Sequence, residues 1–440
     1  MNNVAVLIVI LVLIPIIVVA AILGLGYHMN AAVVAILGGV MIYLAYSRYA
    51  RRIDRDVINS DPKKATPAKM YMDGVDFMPT SRNVLYGYHF KSIAAAGPIV
   101  GVIAAANLWG WVPAILWLIL GVTFIGWCSD YSAIMVAVRN EGNSLSAIAH
   151  KLIAPRTRLI LFVFIFFYLL LLAGAFVGIL AGVLDARADV PFGIFMLAVM
   201  GLLMGQALYR WKMDLILVTV VAVLAVLGSM ALGALGANAK KGESADGKPA
   251  TALAFEGPVN SSVVGLNNAL NKITGNQPMY RVVDPTSSDP RLAATTITPD
   301  GKVVPKYKDA SGAIKMLPSF IFWCVFLFAF SYLGANLPIW RFAQPSNYIG
   351  FWVTALTIGL SALGAIVGGV LGLFGDAEAL KAVTFTTPTF TGFMGKLKTP
   401  PAQTLASIQP LWPMLFVTIA CGAISGWHAL FGSEIGRAHV

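Results

Sequence analysis

Apolar residues in this chain cluster in runs rather than in a helical or strand period. Ten stretches are apolar over windows near 20 residues, the length at which a helix crosses about 30 Å of hydrocarbon. They fall at roughly 4–25, 31–47, 92–109, 111–138, 158–184, 191–209, 214–237, 317–340, 350–374 and 411–430. The pattern predicts an all-α polytopic membrane protein with about ten transmembrane helices. Only a Gly110-Trp111 corner separates the third and fourth stretches, and the fourth is long enough to tilt or bend. The first run, Val4 to Leu25, has neither a basic leader nor a small-residue cleavage site. It reads as a retained first transmembrane helix.

Between the runs the polar residues divide the chain further. Residues 1–237 hold helices 1–7 and residues 317–430 hold helices 8–10. The stretch 238–316 is rich in Gly, Ser, Asn, Pro and Lys and reads as a polar extracytoplasmic loop or cap. Within it TTITPDGKVV is hairpin-like, with Pro299-Asp300-Gly301 at the turn. A second outer loop, 375–409, carries VTFTTPTFTGF. Residues 431–440 read as a non-native tail, because EIGRAHV resembles translated sequencing-adaptor read-through.

Charge then orients the runs. Arg48, Arg51, Arg52, Arg55, Lys63, Lys64 and Lys69 follow the second helix. Placing them in the cytoplasm puts the N-terminus inside. Arg139, Lys151, Arg156 and Arg158, then Arg210 with Lys212, then Arg341, fall on the same side. Every short loop agrees with this single topology. The long loop 238–316 translocates largely regardless of its lysines. Positive-inside orientation therefore accounts for the net charge of +11, and nucleic acid is not an expected partner.

Composition agrees with the pattern. Charged residues are 12% of the chain, against about 25% in soluble domains, and mean hydropathy is +0.78. Cys128, Cys324 and Cys421 each sit inside an apolar run, without the spacing of a metal clip, so they read as small buried residues. No phosphate-binding Gly-Lys loop, nucleophile elbow or zinc-protease helix is present. An ATP-driven pump is therefore not expected, and no cofactor or metal is implied.

Candidate chemistry lies where the runs are interrupted. Gly97-Pro98 sits within GYHFKSIAAAGPIVG, where proline removes a backbone donor. In lipid an unwound helix survives only inside protein or beside water, and transporters bind solutes at such breaks. Gly97 and Gly101 lack side chains where a ligand or a neighbouring helix approaches. Gly334, Asn336 and Pro338 in SYLGANLPIW mark a second break, five helices later, unless Pro338 merely ends a helix. Asp130 stands in an otherwise apolar run, where a charge is by default functional; the alternative is a structural hydrogen bond. His89 and His428 are the other titratable candidates, and Ser425 stands near His428.

These stretches resemble the carbon starvation protein A family, which includes peptide and pyruvate transporters. DPKKATPAKMYMDGVDFMPT is similar to that family's DP…TPA…DGxDYVPT, and GYHFKSIAAAGPIVG to GHHFxxIAGAGPIVGP. VRNEGNSL, LPIWRFAQPSNYI and LFVTIACGAISGWHAL also resemble family motifs, in order along the chain. Ala95, Val102, Tyr88 and Ser346-Asn347 depart from it, which bears on substrate and ion coupling. The family's motif after His428 runs on into further helices.

The resemblance implies a LeuT-like fold of the amino acid–polyamine–cation type, with five-plus-five inverted repeats and discontinuous helices, the second repeat incomplete here. It implies a secondary active importer of short peptides or a small carboxylate such as pyruvate, used in carbon starvation and coupled to protons, with sodium as the other candidate ion. Gly97, Pro98 and Gly101 would form half the site and Gly334, Asn336 and Pro338 the other half. Ser425 and His428 would line it, and Asp130 or His89 would carry the proton. The expected location is the cell inner membrane. A non-transporting sensor binding its ligand through 238–316 is the competing expectation.

Overall fold

A computed structural model describes residues 31–61, 63–74, 77–187, 190–239, 257–275, 280–281, 295–297, 303–305, 315–384, 386–396 and 408–438. The expected first helix at 4–25 lies outside them. The longer helices, in chain order, are α1 (Ala31–Leu44), α2 (Arg82–Ile93), α3 (Ala96–Trp109), α4 (Trp111–Gly121), α5 (Trp127–Arg139), α6 (Leu145–Leu152), α7 (Pro155–Ala186), α8 (Val190–Tyr209), α9 (Leu215–Ala239), α10 (Gly257–Lys272), α11 (Pro318–Asn336), α12 (Ala343–Leu373), α13 (Ala377–Val383), α14 (Leu411–Ala423) and α15 (Gly426–Ala438). Short strands are β1 (Tyr280–Arg281), β2 (Thr295–Ile297), β3 (Val303–Pro305), β4 (Lys315–Met316), β5 (Met394–Lys396) and β6 (Ile408–Pro410). They form three antiparallel pairs, β1 with β4, β2 with β3 and β5 with β6.

Among the described residues, eight helical spans are long and apolar enough to cross a membrane. They correspond to the second through ninth expected runs, so the chain is an all-α polytopic membrane protein. Helix α7 shows the solvent involved. Phe162, Phe164, Phe167 and Leu171 are 61–71% exposed on it, a surface suited to lipid rather than water. Some expected bounds change. The third span begins at Arg82 and the ninth at Ala343, because polar helical turns precede the apolar windows. The tenth run is split: α14 ends at Ala423 and α15 carries the helix on to Ala438.

The described residues fall into two compact units, residues up to 159 with 354 onward, and residues 160–353. In the first, α14 packs on α3 and α4, and α15 packs along α5 and against α2. Its core is Ala105, Trp109, Ala114 and Ile419. Three of these come from α3 and α4, and the two alanines are small enough to let backbones approach, as helix association in lipid favours. A single π-helical turn, Val122–Gly126, joins α4 to α5, so the long fourth run is one element from Trp111 to Arg139.

The α3–α4 corner is sealed by the loop that follows α13. Trp111 N donates to Pro388 O (3.1 Å) and Val112 N to Thr389 O (3.2 Å). Thr391 N donates to Trp109 O (3.1 Å), and Trp109 Nε1 to Gln409 O beside the β5–β6 pair (3.0 Å). Helix ends leave such backbone groups without partners, and here the loop supplies them. Gly110 allows it: φ is 99°, and a Cβ would lie 2.4 Å from Thr389 O.

Along α5, Tyr131 donates to Asp54 Oδ1 (2.8 Å), and Ser60 donates to Asp54 Oδ2 (3.1 Å). Arg139 donates to the Ile58 and Asn59 carbonyls. These bonds fix the π-helical continuation of α1 to the polar end of α5.

In the second unit, α8 and α9 pack together across a tight turn capped by Asp214, which accepts from Leu217 N (3.0 Å). Val177, Ala181 and Leu184 of α7 bury Trp323 and Leu327 of α11. The expected hairpin in 238–316 is present as β2 and β3, with Ile297 opposite Val303; its Pro299-Asp300-Gly301 turn lies outside the described residues. That loop also holds α10, which composition did not disclose, since Gly, Ser and Asn are weak helix formers. Asn267 and Asn271, one turn apart, accept from Trp323 Nε1 (3.0 Å) and Ser319 N (3.2 Å), which ties α10 to the first turns of α11.

Candidate functional site

The third span is interrupted, but four residues before its proline. Helix α2 ends at Ile93, Ala94 has ψ 53° and Ala95 is extended, and α3 starts at Ala96. The cause is steric. A proline ring collides with the carbonyl four residues back, and for Pro98 that residue is Ala94. Gly97 and Pro98 therefore lie in the first turn of α3, where a missing N–H costs nothing. The break expected around Gly97-Pro98 is therefore present, with Ala94 and Ala95 as its unwound residues.

The break leaves polar backbone in the span. Lys91 Nζ donates to the Ala94 carbonyl (3.4 Å), and the Ser92 carbonyl accepts from the Trp427 indole (3.2 Å). Ala95 at the N-cap of α3 supplies no side-chain acceptor, and the first turn of α3 has no acidic residue.

A second interruption, at Ile424-Ser425, lies against the first. Ile424 has φ −146° and ψ 40°, and ends α14. Ser425 then starts α15 as an N-cap: its Oγ accepts from Trp427 N (3.1 Å) and its carbonyl from His428 N (3.1 Å). Close backbone contact holds the two broken segments together. A Cβ on Gly422 would lie 3.2 Å from Pro98 Cα, and one on Gly101 would lie 2.4 Å from Thr418 O. Gly101 thus makes room for α14.

Titratable groups gather at this junction. Asp130 Oδ2 on α5 is 3.6 Å from His428 Nδ1 in the first turn of α15, within ion-pair range but long for a hydrogen bond. His428 is 3% exposed. The Nε2 atoms of His428 and His89 are buried with no hydrogen-bond partner. His89 lies in α2 just before the break and within electrostatic range of His428. The Phe431 ring packs against Tyr88, His89 and Trp427 at centroid distances of 5.1, 6.2 and 5.9 Å. Imidazole and carboxyl groups side by side, away from most of the solvent, can exchange and hold protons.

Seven of the ten candidate residues, His89, Gly97, Pro98, Gly101, Asp130, Ser425 and His428, therefore belong to one unit and one neighbourhood. Gly334, Asn336 and Pro338 belong to the other unit. There α11 runs unbroken to Asn336, whose side chain donates to Tyr332 O (2.7 Å). Gly334 admits the Phe342 ring, 3.1 Å from where its Cβ would be. Pro338 stands in the turn to α12, so it ends a span and does not interrupt one. Of the expected breaks, the eighth run therefore shows none at these residues; the breaks described above lie in the third and tenth runs.

Three residues of the junction escaped the sequence reading. They are Lys91, Gly422 and Trp427, none of which was among the candidates. The signal available was Gly-x-x-Ser-Gly, an N-cap serine between two glycines, hidden by a continuous apolar run. Among the described residues no three His, Cys, Asp or Glu side chains could hold a metal ion.

Comparison with known proteins adds the wider context. The family described as carbon starvation protein CstA matches residues 30–258 and 295–437. The chain is 29% identical over 414 residues to the peptide transporter CstA of Escherichia coli K12, covering 93% of this chain and 46% of that protein. It is 27% identical to the pyruvate/proton symporter BtsT of the same organism (93% and 45%), and 25% identical to the peptide transporter CstA of Bacillus subtilis 168 (92% and 52%). The chain thus spans about half the length of the curated relatives it matches. No solved structure matches it.

Proposed function

The chain belongs to the carbon starvation protein CstA family, and from that premise we propose that it works as a secondary active transporter. It imports short peptides or a small carboxylate such as pyruvate across the inner membrane under nutrient starvation, driven by protons. Two relatives carry names that motivate those substrates, a peptide transporter and a pyruvate/proton symporter. The basic short loops favour a cytoplasmic N-terminus.

One observation carries the reading: two helix interruptions in apolar segments lie against each other, beside a buried His428 that faces the partly buried Asp130. Backbone without helical partners is tolerable in a membrane where it lines a polar cavity. Solute binds at the junction of Ala94-Ala95 and Ile424-Ser425. Asp130, with His428 and His89, takes up the coupling proton. Uptake or release of a proton by the carboxyl–imidazole pair changes its net charge beside α15, and so biases one arrangement of the broken segments over another.

The test is uptake into proteoliposomes under an imposed pH gradient, with a sodium gradient in a parallel arm. Accumulation is expected to follow the proton gradient and to be lost in Asp130→Asn. Uptake indifferent to the gradient and to Asp130→Asn would remove the coupling, and dependence on sodium alone would transfer it to another ion.

A further inference from the structure

The stretch from Arg48 to Met72 leads from one span toward the next and contributes no residue to the junction. Its first part ends the span Val33–Ile58, which at 26 residues is longer than the roughly 20 that cross the hydrocarbon. The last turns of that span therefore stand at the headgroup level. Tyr46 is 55% exposed there, and the Arg51 guanidinium lies 5.3 Å from its ring centroid. Between Arg48 and Met72 there are seven basic and three acidic residues. Asp56 engages Arg52 (3.1 Å) and Arg55 (2.8 Å). Lys63, Lys64 and Lys69 are exposed and pair with no carboxylate among the described residues.

Beside these lysines the chain turns apolar side chains outward. The short helix Pro67–Met70 packs against α15 and buries Pro67 and Ala68. Met70, Tyr71 and Met72 face the other way, 50%, 45% and 64% exposed. Their placement is fixed: the Tyr71 and Phe77 ring centroids are 5.8 Å apart, and Phe77 N donates to Asp73 Oδ1 (2.8 Å). Leaving such side chains in water is unfavourable. A second copy of the chain would bring the same positive charge to this face and be repelled. An anionic bilayer surface suits both halves, with phosphates for the lysines and the acyl boundary for methionine and tyrosine. The spans on either side, ending at Ile58 and beginning at Arg82, already tether the segment at that level.

We propose that residues 63–72 dock on the headgroups of anionic phospholipids. Lys63, Lys64 and Lys69 hold the phosphates, and Met70, Tyr71 and Met72 enter the interface beneath them. The surface does not depend on the transport reading, since it binds lipid and not solute.

The full chain tests this, with Cys128, Cys324 and Cys421 replaced by alanine and a nitroxide attached at Met72→Cys. It is reconstituted in phosphatidylcholine alone or with about 30% phosphatidylglycerol. Collisions of the label with a water-soluble nickel chelate and with oxygen report water and bilayer. Each lysine near an anionic surface is worth about a factor of 5, so phosphatidylglycerol should cut nickel collisions at least about 3-fold and raise oxygen collisions. Replacing the three lysines by glutamine should abolish that difference, and replacing them by arginine should keep it. Equal nickel access in both bilayers would overturn the proposal without any lysine variant. Protection in neutral bilayers on adding inorganic phosphate would also overturn it, by removing the lipid. So would protection with dipolar broadening that vanishes on dilution with unlabelled chain, which would give the face to a second copy. A glutamine variant still protected by phosphatidylglycerol would overturn the role of the lysines.

Discussion

Replacing Gly101 by alanine tests the packing that brings the two interruptions together. The added Cβ would lie 2.4 Å from the Thr418 carbonyl oxygen, 3.5 Å from its carbon and 4.0 Å from Ile419 Cα. Carbon and oxygen sit comfortably at about 3.3–3.6 Å, so α3 and α14 must separate by roughly 1 Å. The obstacle is main chain and cannot rotate away. Separation also loosens Ala105 against Ile419 in the core just beyond. Overpacking of this kind costs about 1–3 kcal/mol. Gly422→Ala meets Pro98 Cα at 3.2 Å, a conflict of a few tenths of an ångström, and should cost less. Gly39→Ala meets nothing within 4 Å and should be neutral or slightly stabilising, since alanine is the better helix former. The assay is the rate of thermal unfolding in detergent at one temperature, because membrane proteins of this size rarely unfold reversibly. Gly101→Ala should unfold fastest, then Gly422→Ala, with Gly39→Ala no faster than the unaltered protein. A Gly101→Ala protein as durable as Gly39→Ala would refute the close approach of α3 and α14.

Two further substitutions probe the same account from different sides. Ser425→Ala removes the acceptor for Trp427 N and should destabilise the start of α15 by about 1 kcal/mol, read as faster thermal unfolding; rescue by Ser425→Asp or Ser425→Asn would identify the loss as that of a cap. Asn267→Ala leaves the indole N–H of Trp323, itself 2% exposed, without its acceptor; it should cost about 1–3 kcal/mol while leaving the KM for uptake unchanged, and a raised KM would bring the 238–316 loop into solute binding.

The spans themselves were legible because hydrophobic length is set by the bilayer and needs no knowledge of neighbours. Their ends were less so. Arg82 to Ser92 is helical though its composition is nearly neutral, since packing against α15 decides that. The break near Gly97-Pro98 was visible through the proline, but its place followed from a clash with Ala94, which points backwards along the chain. The break at Ile424-Ser425 was hidden: it carries no proline, and its signal, an N-cap serine between two glycines, lies inside a continuous apolar run. At Pro338 the sequence left two readings open, because a proline after Asn336 ends a helix as readily as it kinks one; here it ends one. Asp130 and His428 were each identified singly. That they face each other depends on α15 packing along α5, a contact between residues almost 300 positions apart, which no local pattern encodes.

The most direct measurement asks whether water reaches the paired interruptions. Ala95→Cys and Ile424→Cys would be made in protein whose Cys128, Cys324 and Cys421 are replaced by alanine, with Phe167→Cys as a lipid-facing control 64% exposed before substitution. In membranes, both junction cysteines are predicted to react with a charged, membrane-impermeant thiol reagent, and pyruvate or a dipeptide is predicted to slow the reaction. If both stay as unreactive as the control, the unwound backbone is packed dry, and no solute crosses there.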